Sequence, residues 1–196
     1  MSQPFDYSNL STRPTSRFLR IARRVLPGVG EVENEIAPYA AAWHEHNVTA
    51  LGGNEALWVV LGDSLSQGIG ASSIEQSWVL QAWRMLAGQG IHYRIVNLSV
   101  SGARVCDVIE RQIPAMKGLA AMPDLVTVLV GSNGVIHRDR RDALAGHYAT
   151  MLALLPQDAL VAVPGDARGV LADVVQVVQS AAAAGSSRVI ASGPTP

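Results

Sequence analysis

A single cysteine, Cys106, stands among 196 residues, so no intrachain disulfide can form. Aromatic residues make up only 5 % of the chain, which leaves few platforms on which the bases of a single-stranded nucleic acid could stack. Excess charge is lacking too. The formal net charge is -1, with none of the basic surplus that marks a nucleic-acid-binding domain, and nucleic acid is set aside as a partner. No stretch approaches the roughly 18 uninterrupted apolar residues that a membrane span requires. A secretory pattern is also missing, because Arg13, Arg17, Arg20, Arg23 and Arg24 are interleaved with apolar residues instead of preceding an apolar block. The simplest location is therefore the cytoplasm. The segment from Gly62 to Gly70 lacks the Lys-Ser/Thr pair of a phosphate loop, and no nicotinamide fingerprint or metal constellation accompanies it. His44 and His46 lie two apart, so on a helix they diverge and cannot share one metal; both are read as ordinary surface residues.

What the chain does have is a 48 % hydrophobic fraction, much of it Ala, Val and Leu in short runs separated by glycines. Such runs suit strands covered on both faces. Met1 to Pro14 is polar and is expected to lie loosely over the surface. Residues 15–26 read as a basic amphipathic helix that Pro27-Gly28 would end. That helix could touch an anionic membrane surface, but the favoured reading is a helix packed on the protein with its arginine face in water. A second helix is expected over 32–47, with Pro38 kinking or restarting it, and 51–54 as a linker.

From Leu57 onward the pattern is strand, loop, helix, repeated. Strands are predicted at 57–61, 93–98, 125–130, 160–163 and 188–191, and helices at 74–87, 105–116, 141–155 and 170–184. Alternation of this kind indicates a parallel sheet with right-handed crossovers, whose strand C-termini face the ligand crevice. The loops at that edge carry GDSLSQG (62–68), SVSGA (99–103) and GSNG (131–134).

An alcohol is a weak nucleophile, so a serine that takes an acyl group needs a base, an orienting group behind the base, and donors for the oxyanion. Ser64 follows a strand at a Gly-flanked bend; Ser101-Gly102 offers a second turn with close backbone approach; Asn133 can contribute a side-chain amide. Asp63 is expected to hold its turn by local hydrogen bonds, and Ser66 and Gln67 to line the mouth. Cys106 reads as a small buried residue, and Trp43, Trp58, Trp78 and Trp83 read better as core than as a pocket.

GDSLSQG, VNLSVSGA and VLVGSNG, in that order, resemble blocks one, two and three of the SGNH (GDSL) hydrolases, and the resemblance covers about 57–165. It implies a flavodoxin-like three-layer α/β/α sandwich with a parallel sheet. It also implies Ser64 as nucleophile, with Ser64, Gly102 and Asn133 lining an oxyanion hole. The organisation expected is an N-terminal helical extension over 1–55 and an SGNH hydrolase-type domain over 56–196. Members of this family are mostly esterases, lipases, thioesterases and carbohydrate deacetylases. The expected substrate is accordingly a small-molecule ester or an acylated carbohydrate or lipid, and hydrolysis by serine needs no cofactor. An O-acyltransferase of the same fold and a catalytically weak ligand-binding protein are the alternatives.

The family's last block, Asp-x-x-His, does not occur after Asn133, and Gly134 stands where an Asp usually follows Gly-x-Asn. The chain reaches Pro196 where that last loop is expected, so residues 56–196 are read as lacking the domain's C-terminal end. His137, four residues past Asn133, is the nearest candidate base, with Asp139 or Asp142 to orient it. His147, inside a predicted helix, and His92, at the opposite sheet edge, are weaker candidates.

Overall fold

The computed structural model describes residues 5–11, 27–131, 143–163, 175–177, 179–180 and 188–191. Five parallel strands, β1 (Ala56–Gly62), β2 (Tyr93–Asn97), β3 (Leu125–Leu129), β4 (Leu160–Val163) and β5 (Arg188–Ala191), form one sheet in the order 2-1-3-4-5. Their bounds agree with the apolar runs to within a residue at either end. This is the flavodoxin-like order.

The helices among the described residues include α1 (Pro27–Leu51), α2 (Ser64–Gln67), α3 (Trp78–Ala87), α4 (Val105–Asp107), α5 (Ile113–Lys117) and α6 (Leu144–Leu154). A π-helical turn, Val108–Gln112, joins α4 to α5 without a break. Alternation along β1 builds two cores. Leu57, Val59 and Leu61 meet Val105, Val108, Ile113, Tyr148 and Met151 from the α4–α5 and α6 helices, whereas Trp58 and Val60 meet Trp43 and the Trp78, Val79 and Trp83 face of α3. Helices thus cover both faces. Because the crossover from β1 goes to one side and that from β3 to the other, a crevice opens at the carboxyl ends of β1 and β3.

The tryptophans serve the core as expected: Trp43 and Trp58 are buried, with their indole N–H groups donating to Gln67 O and Thr127 Oγ1 at 2.9 Å each. Cys106 is half-buried instead of buried. Several local expectations are corrected. The helix expected over 32–47 is longer: α1 begins at Pro27, where the missing N–H has no partner to lose. Pro38 lies inside α1, which continues through it and seats Trp43, Asn47 and Ala50 in the interior. The expected helix over 15–26 lies outside the described residues. The helix expected at 74–87 is broken at Ser77: Ile74–Gln76 forms a 3-10 turn, and Ser77 Oγ then caps α3 by accepting from Leu80 N at 3.4 Å.

Residues 5–11 are not loose. Tyr7 donates its hydroxyl to Leu98 O at 2.6 Å, and the Asn9 side-chain amide donates to Asn97 O and Ser99 O at 2.9 Å each. Both side chains take up carbonyls left without a strand partner where β2 ends.

His46 also departs from expectation. It is half-buried with its ring edge-on to Trp43 at 5.4 Å between centroids, and burial lowers its pKa. As pH falls below the ordinary value of 6.5, the unfolded chain takes up this proton before the folded one does, so stability falls with pH until the folded pKa is passed. Replacing His46 with Gln is expected to flatten that part of the melting-temperature profile, which thermal scans of the two proteins across the histidine range would register.

Among the described residues no helix is long and apolar enough to cross a membrane.

Candidate active site

β1 delivers its last residue, Gly62, at φ +147°, a conformation that turns the chain sharply out of the sheet. A Cβ on Gly62 would stand 2.2 Å from Leu129 O and 2.4 Å from Ser66 Oγ, so only glycine lets the bend lie against β3. Asp63 follows as N-cap of the one-turn helix α2, whose first residue is Ser64.

The fully buried Asp63 holds this turn, as its position in the sequence suggests, and does more. Its Oδ1 accepts from Leu65 N at 3.1 Å and its backbone O accepts from Ser66 N and Gln67 N at 3.1 and 3.2 Å. The N–H of Ser64 is thereby the one in the turn with no acceptor inside it. Asp63 also reaches β3: its N–H donates to Leu129 O at 3.2 Å, and its Oδ2 accepts from Gly131 N at 3.4 Å. Block one is thus fastened to the start of block three. Below that fastening, the buried Tyr148 donates its hydroxyl to Val130 O. Its pKa is raised by burial first and by the Asp63 charge second, which keeps the hydroxyl protonated as a donor.

Block two lies on the other side of β1. Leu98 N and Val100 N continue the β2 ladder onto Val60 O and Gly62 O at 2.8 and 3.2 Å, bringing Ser101-Gly102 up beside the Ser64 turn. Ser101 N donates to Gln67 Oε1 at 2.9 Å and Ala103 N to Val100 O at 2.9 Å, so the N–H groups on either side of Gly102 are engaged. Gly102 itself is exposed at φ +79°, with open space where a Cβ would be. Ser64 is half-buried, and the two loops therefore offer a reachable hydroxyl beside two turns that each present one backbone N–H.

Ser66 and Gln67 do not line the mouth. Both are buried beneath it: Ser66 Oγ donates toward Leu61 O and Leu129 O at 3.3 and 3.4 Å, and Gln67 Nε2 donates to Asn9 O at 2.8 Å. They belong to a buried amide network that sequence reading did not find. Asn97 Nδ2 donates to Ser66 O at 2.8 Å, Asn97 N donates to Asn47 Oδ1 at 2.7 Å, and Gln112 bridges both backbone groups of Gly62 at 2.8 Å each. The available signal was a polar residue interrupting an otherwise apolar face, as Asn97 does between Val96 and Leu98.

Asn133, His137, Asp139 and Asp142 lie outside the described residues. His147 is exposed on α6, and His92 is exposed just before β2, at the sheet edge remote from Ser64. His44 is exposed, with Nδ1 3.2 Å from Tyr7 O. No described group of three or more His, Cys, Asp or Glu residues could hold a metal ion.

Residues 60–194 match the model of the GDSL-like lipase/acylhydrolase family. Esterase TesA of Pseudomonas aeruginosa is 36 % identical over 75 residues, which are 38 % of this chain and 36 % of that protein. The matched stretch therefore spans about a third of that relative's length. Among solved structures, AlinE4, an SGNH-hydrolase family esterase, superposes with a TM-score of 0.59 at 20 % identity over 70 % of this chain and 76 % of that one. The crystal structure of TesA gives 0.57 at 25 % identity over 68 % and 76 %. A family 3 carbohydrate esterase of Clostridium thermocellum gives 0.57 at 17 % over 70 % and 78 %. With the family model covering most of its length and the sheet order and motif loops agreeing, the chain belongs to the GDSL-like lipase/acylhydrolase family.

Proposed function

We propose that the chain hydrolyses a small-molecule ester or thioester, or an ester on a carbohydrate or lipid, through an acyl-Ser64 intermediate. The main support is the position of Ser64: it opens a one-turn helix at the end of the central strand, with its own N–H unused inside that turn and Gly102 on the neighbouring loop. A base withdraws the hydroxyl proton as Oγ attacks the acyl carbon. The carbonyl oxygen becomes an oxyanion that the N–H groups of Ser64 and Gly102 and the side-chain amide of Asn133 receive. Collapse of the tetrahedral species expels the alcohol or thiol with the proton, and water repeats the steps in reverse to release the acid and restore Ser64. Within these 196 residues His137 is the candidate base, with Asp139 or Asp142 behind it. The protein is expected to act without a cofactor.

An acyl-enzyme predicts a covalent adduct during turnover. Acid-quenching the protein with p-nitrophenyl acetate or butyrate and measuring its mass is expected to reveal one acyl group per chain on the peptide that carries Ser64. Steady release of nitrophenol with no adduct on that peptide, even under single-turnover conditions, would mean that water attacks the ester directly.

A further inference from the structure

Two buried glutamines flank the Ser64 turn, and each uses both ends of its side-chain amide: Gln67 ties the turn to Ser101 on the loop that carries Gly102, and Gln112 ties Gly62 to the helix that follows that loop. Gln112 Oε1 accepts from Gly62 N and its Nε2 donates to Gly62 O, at 2.8 Å in each case. In a longer sheet a β2 residue would make these bonds, but β2 is leaving β1 at this point and only Val100 N still reaches Gly62 O. Gln112 completes the edge as a surrogate peptide. It closes the π-helical turn Val108–Gln112, a wider winding of the kind often found at functional sites. Gln67, the last residue of α2, receives the N–H of Ser101 at Oε1 and donates from Nε2 to Asn9 O, at 2.9 and 2.8 Å. The backbone O of Gln67 is held in turn by the Trp43 indole.

Both amides are buried, and of the groups they hold Gly62 lies two residues before Ser64 and Ser101 N lies next to Gly102. Resting on the function proposed above, we infer that Gln67 and Gln112 are positioning residues that set the spacing between the Ser64 and Gly102 N–H groups. That spacing decides whether both donors reach one oxyanion. Neither glutamine touches the substrate, so their effect falls on the rate of the acyl step and not on ester binding.

The test replaces each glutamine with Met, similar in length but unable to bridge two backbone groups. It measures KM and kcat for p-nitrophenyl acetate and the rate of covalent labelling by a fluorophosphonate, in which the Ser64 Oγ–P bond forms as fluoride leaves. Displacement of a donor by a fraction of an ångström to about 1 Å predicts a fall in kcat and labelling rate of roughly 10- to 100-fold with KM nearly unchanged. A cooperatively folded Met variant with wild-type kcat and labelling rate overturns the inference, as does one whose loss lies wholly in KM.

Should a Met variant not fold, the Gln→Glu substitution at that position decides. Its neutral acid supplies the same donor and acceptor, whereas its carboxylate only accepts. Its kcat divided by that of the wild type, both measured at pH values where the variant is folded, is then expected to fall as pH rises. A ratio that stays at one across that range overturns the inference. Wild-type protein that neither turns over the ester nor labels at Ser64 would instead refute the proposed hydrolase function itself.

Discussion

Replacing Gly62 with alanine is expected to destabilise the protein by about 3 kcal/mol or more, combining the strain of a side chain at positive φ with the overpacking it forces. The crowding is with main chain: Leu129 O lies 2.2 Å from where the new Cβ would stand, and a backbone oxygen cannot swing aside as a flexible side chain would. Relief requires β1 and β3 to part at their C-terminal ends, where Gly62 pairs with Leu129 and Asp63 N donates to Leu129 O. Parting them loosens the Ser66 contact with Leu129 O and the Asp63 contact with Gly131 N. Denaturant unfolding monitored by far-UV circular dichroism measures the cost. An unfolding free energy matching the wild type would mean that the turn has another comfortable geometry.

Replacing Ser64 with alanine has the opposite profile. The side chain is half-buried, and the turn is held by Asp63 and by backbone bonds that do not involve the hydroxyl, so the fold is expected to survive with a stability change within about 0.5 kcal/mol. Activity is expected to fall by roughly 10,000-fold or more, because loss of the attacking atom removes the covalent route and leaves only the oxyanion donors. Loss of activity together with loss of fold would say little about the hydroxyl. Loss of activity in a protein that melts like the wild type assigns it a chemical role.

The strands β1 and β3 were legible because their side chains pack into the cores on both faces, so that LWVVL and LVTVL stand out as apolar runs without needing a period. The site's frame was legible for a related reason. A strand that ends in Gly-Asp-Ser and a loop that turns at Ser-Gly must both open at the carboxyl edge of a parallel sheet, and the register of β1 with β2 and β3 puts them there. What did not show in the sequence is the polar interior. Gln67, Asn97 and Gln112 bond to main-chain groups between 31 and 58 residues away, and neither helical nor strand periodicity encodes a partner so distant. Gln67 looked like a rim residue because it follows Ser64 in a polar stretch, yet one helical turn is enough to carry it beneath the loop.

Residues 5–11 were misjudged on the same grounds. Their polar composition suggested solvent, but Tyr7 and Asn9 spend their polar atoms on the carbonyls of Asn97, Leu98 and Ser99. The helix α1 extends at both ends beyond the 32–47 expected for it. Pro27 costs nothing as a first residue, and the packing of Trp43 and Asn47 outweighs what Pro38 removes.

Activation of Ser64 is the central claim, and covalent labelling tests it most directly. The intact mass of the 196-residue chain after exposure to a fluorophosphonate would be compared with that of the folded Ser64→Ala variant. One phosphonyl adduct on the wild type, on the peptide containing Ser64, and none on the variant is the predicted result. Equal labelling of both proteins, or none of a correctly folded wild type, would contradict it.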